Sequence, residues 1–224
     1  MLGSERIRSV LKKYPVKPIV WYPDYPEKTH WKNPFTEEDY KNGLRDFHQQ
    51  PTSLLYLHMP YCPKQCLFCN CKTRISSDYA DVHTYMDWLY KEIKMHIDFC
   101  RENDLPINFS DIHLGGGSPD YINKDDFSVY MDQIRTLVWI EKIHEISMEI
   151  DPRHAKPDDM VFYSSMGINR VSFGIQDFDF NVQKDIDRIQ PDLLIARLLR
   201  PEIRELFPNG INFDIMFGLP LQTR

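Results

Sequence analysis

The stretch HEISMEI, residues 144–150, sets Ile146, Met148 and Ile150 against Glu145, Ser147 and Glu149. Strict apolar–polar alternation has the period of a strand with one dry face and one wet face. Two further stretches repeat it. NRVSFGI (169–175) alternates Val171, Phe173 and Ile175 with Ser172, Gly174 and then Gln176. INFDIMF (211–217) alternates Ile211, Phe213 and Ile215 with Asn212 and Asp214. LLYLH (54–58) and DIHL (111–114) read as additional strands. Helical stretches lie between them, near 124–138, 156–166, 182–188 and 191–206. The longest, 78–100, places Val82, Tyr85, Met86, Leu89, Ile93 and Ile97 on one face behind a Ser77/Asp78 cap signal. Regular strand–helix alternation implies right-handed βαβ units and a parallel sheet. Parallel strands covered on both faces are nearly continuously apolar, and these are not. The pattern predicts an α/β fold, a barrel or half-barrel with a polar interior and its chemistry at the C-terminal strand ends. An open doubly wound sheet is the competing architecture.

A chain of 224 residues holds one good-sized domain, or one domain and an extension. Residues 51–224 carry the strand–helix pattern. Residues 1–50 read as a separate, irregular N-terminal arm, because YPVKPIVWYPDYPEKTHWKNPF has five prolines and no sustained period. The formal net charge of −6 argues against a nucleic-acid-binding face, which is ordinarily basic. No apolar run approaches the ~18 residues that cross a bilayer, and MLGSERIRSVLKKYP lacks a signal-peptide core. A cytoplasmic location is therefore expected. In that compartment, five cysteines point to metal or redox chemistry and away from a disulfide framework.

Four of those cysteines crowd into YLHMPYCPKQCLFCNC (56–71): Cys62, Cys66 and Cys69 in the spacing Cys-x3-Cys-x2-Cys, then Cys71. A structural zinc site favours two separated Cys-x2-Cys pairs, and no second pair exists. A dithiol of the thioredoxin kind would use Cys66 and Cys69 and leave the other two without a role. An iron–sulfur cluster is the third reading. Such clusters normally take four thiolates, so a set of three leaves one iron open to another ligand.

The Cys-x3-Cys-x2-Cys loop after a first strand resembles the signature of the radical S-adenosylmethionine (SAM) superfamily. Within it, the fuller string is similar to the oxygen-independent coproporphyrinogen III oxidases. Five more motifs follow in the same order: LGGGSPDYI (114–122), MEIDPR (148–153), VSFGIQDFD (171–179), VQKDIDRIQP (182–191) and NFDIMFGLPLQT (212–223). The resemblance spans about residues 52–224 and implies a partial (β/α) barrel of the radical SAM type, truncated after its fifth strand. Members of the family continue into a sixth strand and a C-terminal domain, so weak or absent turnover is expected of these 224 residues alone.

The resemblance implies that Cys62, Cys66 and Cys69 bind a [4Fe-4S] cluster whose open iron chelates SAM. Reductive cleavage of SAM then gives a radical that abstracts hydrogen from a propionate side chain. Two oxidative decarboxylations of coproporphyrinogen III yield the vinyl groups of protoporphyrinogen IX, with a separate electron donor as partner. By the same likeness, Tyr56, Phe68, Gly116, Gly117, Ser118, Glu149, Gln176, Arg188 and Asp214 contact SAM. Glycines at a strand end let the backbone approach a ligand, and an arginine fork suits a carboxylate. Cys71 is assigned to catalysis or substrate handling, outside the cluster. His58 and His113 read as structural histidines with satisfied rings, lacking metal-ligand spacing. The arm departs from the family, having KPIVWYPDYP where an arginine-containing segment is usual. That leaves Lys12, Lys13 and Lys17 as candidate partners for substrate carboxylates. A haem-chaperone-like or other tetrapyrrole-binding radical SAM protein is the alternative function.

Overall fold

The computed structural model describes residues 34–47, 49–76 and 78–223. Lys12, Lys13, Lys17, Ser77 and most of the proline-rich arm lie outside the described residues. Where the arm is described it is not irregular, because helix α1 spans Glu37–Phe47. A reciprocal cap starts it: the Asp39 N–H donates to Thr36 Oγ1 at 3.1 Å, and the Thr36 N–H donates to Asp39 Oδ2 at 2.9 Å. Glu37, Glu38 and Asp39 in its first turn and Arg45 in its last complement the helix dipole.

Residues from Gly43 onward make one compact unit. Its strands are β1 (Ser53–Met59), β2 (Tyr61–Cys62), β3 (Arg74–Ile75), β4 (Phe109–Gly116), β5 (Glu145–Ile150), β6 (Arg170–Gln176) and β7 (Gly210–Ile215). The main sheet is wholly parallel, in the order β1-β4-β5-β6-β7. Each new strand joins on the same side as the last. A doubly wound sheet reverses direction at a switch point. This order never reverses, which decides for the barrel-type winding. No pairing joins β1 to β7 among the described residues, so the barrel is partial.

The register turns the sequence alternation into two faces. Leu57, Leu114, Met148, Val171 and Ile211 line up across the five strands, and the first four are at most 1% exposed. One residue earlier on each strand, Tyr56, His113, Ser147, Arg170 and Gly210 form a row on the opposite face. Helices cover the apolar face: α2 (Tyr79–Glu102), α3 (Lys124–Leu137) and α4 (Pro157–Ser165). Helix α2 buries Val82, Met86, Leu89, Ile93, Ile97 and Cys100, and the Asp78 side chain caps it through the Ala80 N–H. Helix α3 starts at Asn123, whose side chain accepts from the Asp126 N–H at 2.9 Å. Phe127 is fully buried and packs edge-on against Tyr163 and Phe162 at 5.3 and 5.9 Å.

Three local expectations need correction. The expected helix over 191–206 is two pieces, α6 (Asp192–Leu198) and α7 (Pro201–Arg204). Pro201 denies an N–H and drives Arg200 out of the helical region, to ψ 148°. The helix expected at 182–188 lies earlier, as α5 (Phe180–Asp185), because Asp179 accepts from the Asn181 and Val182 N–H groups. On β7 the apolar residues are not covered, with Ile215 57% exposed, since no helix follows that strand among the described residues.

Candidate functional site

The C-terminal ends of β4, β5 and β6 and the cysteine loop enclose a cavity of about 210 Å³. The loop is fixed at both ends. β2 pairs with β3, and the Arg74 N–H donates to the Pro60 carbonyl at 2.6 Å. Inside it, Gln65 is the organiser, donating to the Cys69 carbonyl at 3.1 Å and accepting from Thr73 Oγ1 at 2.8 Å. Phe68 pins the tip by packing on Val182, Ile186 and Leu219. A turn brings the Cys69 N–H to the Cys66 carbonyl at 3.1 Å.

The glycine run is stitched to the same loop. The Gly117 N–H donates to the Met59 carbonyl at 2.7 Å and the Ser118 N–H to the Tyr61 carbonyl at 2.9 Å. The chain here is too close for side chains. A Cβ on Gly117 would stand 2.7 Å from the Tyr61 carbonyl oxygen, and one on Gly116, at φ +116°, would stand 2.6 Å from the His58 ring. Room for the chain's own backbone and the His58 ring therefore requires these glycines.

Cys62, Cys66, Phe68, Cys69, Cys71, Gly116, Gly117, Ser118, Glu149, Gln176, Arg188 and Asp214 all line this one cavity. Tyr56 does not. It sits lower on the wet face, bonded to His58 Nδ1 at 3.0 Å and stacked on His113. His58 and His113 have both ring nitrogens partnered: His58 by Tyr56 and the Lys72 carbonyl, His113 by Ser147 and Glu149.

The electrostatics divide the site. Burial alone would raise the Glu149 carboxyl, but the His113 ring and the Gly116 N–H, donating at 3.0 Å, hold it below the usual range. It is an anion facing the cavity. Asp214 already accepts from Ser172 and Asn212, each at 2.9 Å. Gln176 has φ 68° beside a register irregularity between β6 and β7, and this bulge turns its side chain toward the cavity. Gly174 leaves the room, since a Cβ there would stand 3.0 Å from both Gln176 and Arg188.

Arg188 is buried, and its expected freedom to take a ligand carboxylate is already partly used. It donates to the Gly174 carbonyl at 2.7 and 3.2 Å, to Asp151 Oδ2 at 3.2 Å and to Cys66 Sγ at 3.4 Å. Asp151 and Arg153 line the cavity as well and were not singled out from the sequence. Their signal was MEIDPR itself, an acid and a base directly after a strand end.

The donor set fits a cluster better than a single ion. Among the described residues no three His, Cys, Asp or Glu side chains converge as the ligands of one metal ion would. A four-iron cluster takes each thiolate on a separate iron, so its donors stand apart around a common space. Cys62, Cys66 and Cys69 all line this cavity. In the metal-free chain, burial followed by the neighbouring Cys69 and Cys66 pushes the Cys62 thiol up to about 12. Burial and Cys69 push Cys71 up to about 11. Sulfurs in this state become thiolates only when a cation compensates them.

The family model of the radical SAM superfamily matches residues 56–224. The oxygen-independent coproporphyrinogen III oxidase of Escherichia coli is 33% identical over 202 residues, 90% of this chain and 43% of that protein. Its Helicobacter pylori counterpart is 35% identical over 216 residues, 93% of this chain and 46% of that protein. A solved structure of the Escherichia coli coproporphyrinogen III oxidase, described as a radical SAM enzyme, superposes with a TM-score of 0.77 at 32% identity. It covers 96% of this chain and 46% of that one. The chain thus spans less than half the length of these relatives.

Proposed function

Because this chain belongs to the radical SAM superfamily, we propose that it is the cluster-binding and SAM-binding portion of an oxygen-independent coproporphyrinogen III oxidase. The observation that carries the reading is one cavity lined by the three spaced cysteines, the glycine turn and the carboxylate of Glu149. When bound, a [4Fe-4S] cluster supplies one electron to the sulfonium of SAM, and the resulting carbon–sulfur cleavage begins hydrogen abstraction from the substrate.

The chain's own residues do the holding. Cys62, Cys66 and Cys69 would hold the cluster, and three thiolates would leave one iron open to SAM. Glu149, kept ionised by His113 and the Gly116 N–H, would accept a hydrogen bond from the amino group of SAM. Gln176 and Asp214 face the same space and suit ribose hydroxyls or an adenine edge. Arg188, whose Nε and Nη1 are committed to Gly174, Asp151 and Cys66, offers a carboxylate only the second N–H of its Nη2. Gly116, Gly117 and Ser118 wall the cavity with backbone, and Phe68 closes it from the loop side. Cys71 is exposed beside the cluster ligands and serves substrate handling. No helix among the described residues is long and apolar enough to cross a membrane. The proposal includes a cytoplasmic location and an external one-electron donor.

The test is anaerobic reconstitution of the chain, followed by reduction in the presence of SAM. Methionine and 5′-deoxyadenosine are expected, with neither formed by Cys66→Ala. Stimulation by coproporphyrinogen III and not by haem assigns the substrate. A cluster-loaded chain that neither binds nor cleaves SAM contradicts the proposal.

A further inference from the structure

One sulfur in the site is treated differently from the others. Cys66 Sγ receives two guanidinium groups, Arg188 Nη1 at 3.4 Å and Arg153 Nη2 at 3.6 Å. No hydrogen bond from an arginine reaches Cys62 or Cys69 among the described residues. Both arginines are anchored on the carboxylate of Asp151. Arg153 grips it through Nε at 3.0 and 3.1 Å and through Nη2 at 2.6 Å, and Arg188 reaches it at 3.2 Å. The side chains are 14%, 8% and 6% exposed for Arg153, Arg188 and Asp151. Burial would raise Asp151, but its bonds to Arg153 and the charge of Arg188 hold it ionised. Two cations and one anion give this buried triad a net charge of +1 beside one thiolate.

We propose that Arg153, braced by Asp151, sets the reduction potential of the cluster held by Cys62, Cys66 and Cys69. This rests on the radical SAM reading above. Reduction adds one electron, from an external one-electron donor, and no atom is transferred. The added negative charge is stabilised by a nearby cation and by N–H donors on the ligating sulfur, so both raise the potential. Arg188 is committed to the Gly174 carbonyl as well, whereas all of Arg153's side-chain hydrogen bonds go to Asp151 and Cys66. Arg153 is therefore the cation whose removal disturbs least besides the sulfur.

The experiment is a dithionite titration followed by electron paramagnetic resonance, without SAM, on wild type, Arg153→Met, Arg153→Lys and Asp151→Asn. Iron and sulfide content is measured on each. Arg153→Met lowers the reduced-to-oxidised ratio at a fixed potential about tenfold, which is about 59 mV for a one-electron couple. Arg153→Lys keeps the charge and moves less. Asp151→Asn leaves two uncompensated cations and moves the potential upward. Opposite signs from neighbouring substitutions are something a purely structural role does not produce. Equal potentials in loaded wild type and Arg153→Met overturn the proposal. If Arg153→Met takes up no cluster, an unmoved or lowered potential in Asp151→Asn overturns it. A wild-type chain that takes up no cluster overturns the radical SAM reading itself, and the tuning with it.

Discussion

Replacing Asp120 by Asn removes a carboxyl held where a charge is costly. Among the described residues its Oδ1 has no solvent contact and no hydrogen-bond partner, while its Oδ2 accepts a long bond from the Asp151 N–H at 3.3 Å and the Ser118 side chain offsets a little of the burial. Burial, then the charge of Asp151, pushes Asp120 from 3.8 up to about 7. The folded protein therefore binds this proton more tightly than the unfolded chain. Its contribution to stability is complete below pH 3.8 and is lost as pH rises to about 7. At ~1.4 kcal/mol per unit, a shift of roughly three units bounds the loss at ~4 kcal/mol. The working figure is about 2–4 kcal/mol, because part of the side chain reaches solvent. Asn carries no titrating proton, so its stability does not fall over that range. Its amide at the orphaned position carries a desolvation cost of about 1–3 kcal/mol, but that cost is the same at every pH. The difference between variant and wild type should thus climb by roughly 1.5–3 kcal/mol from pH 4.5 to 8, the part of the loss that falls in that window, whatever its starting value. Urea unfolding of both proteins under reducing, anaerobic conditions measures it. Parallel stability–pH curves would refute the reasoning.

Other substitutions probe the neighbouring supports. Gly117→Ala forces a methyl group into the Pro60–Tyr61 backbone and should cost about 1–3 kcal/mol in urea unfolding. It should also lower cluster uptake, because Gly117 and Ser118 hold the strand leading into Cys62. Phe127→Ala, fully buried between Phe162 and Tyr163, should lose about 3–5 kcal/mol while the cysteine loop keeps its metal uptake. Asn123→Ala removes the cap of α3 and should cost about 1 kcal/mol, with uptake unchanged. Glu149→Gln keeps the shape of the cavity but loses the anion. SAM binding to the loaded chain, measured by calorimetry, should weaken about tenfold or more, as for loss of a charge-assisted bond of ~1.5–3 kcal/mol.

The strands were legible because their alternation is strict: Ile146, Met148 and Ile150 are at most 3% exposed, with Glu145 and Glu149 on the other face. Winding direction was not legible from any one strand. It belongs to the order of pairing, which alternation narrows without deciding. Spacing drew attention to the cysteines, yet the elements that hold their loop, β2 and β3, are two residues each and too short to show a period. Helix α1 hid behind prolines, although Thr36 and Asp39 carried a capping signal. Asp151 and Arg153 escaped notice for a different reason. In sequence a charged pair after a strand looks solvated, and only the fold shows it buried against Cys66.

The central claim is that three thiolates leave one iron free for SAM. Mössbauer spectroscopy of the anaerobically reconstituted, iron-57-labelled chain tests it most directly. About four irons per chain in one cluster are expected, with a change confined to one iron on adding SAM and loss of the cluster in Cys66→Ala. A spectrum without a four-iron centre, or one that SAM leaves unaltered, contradicts it.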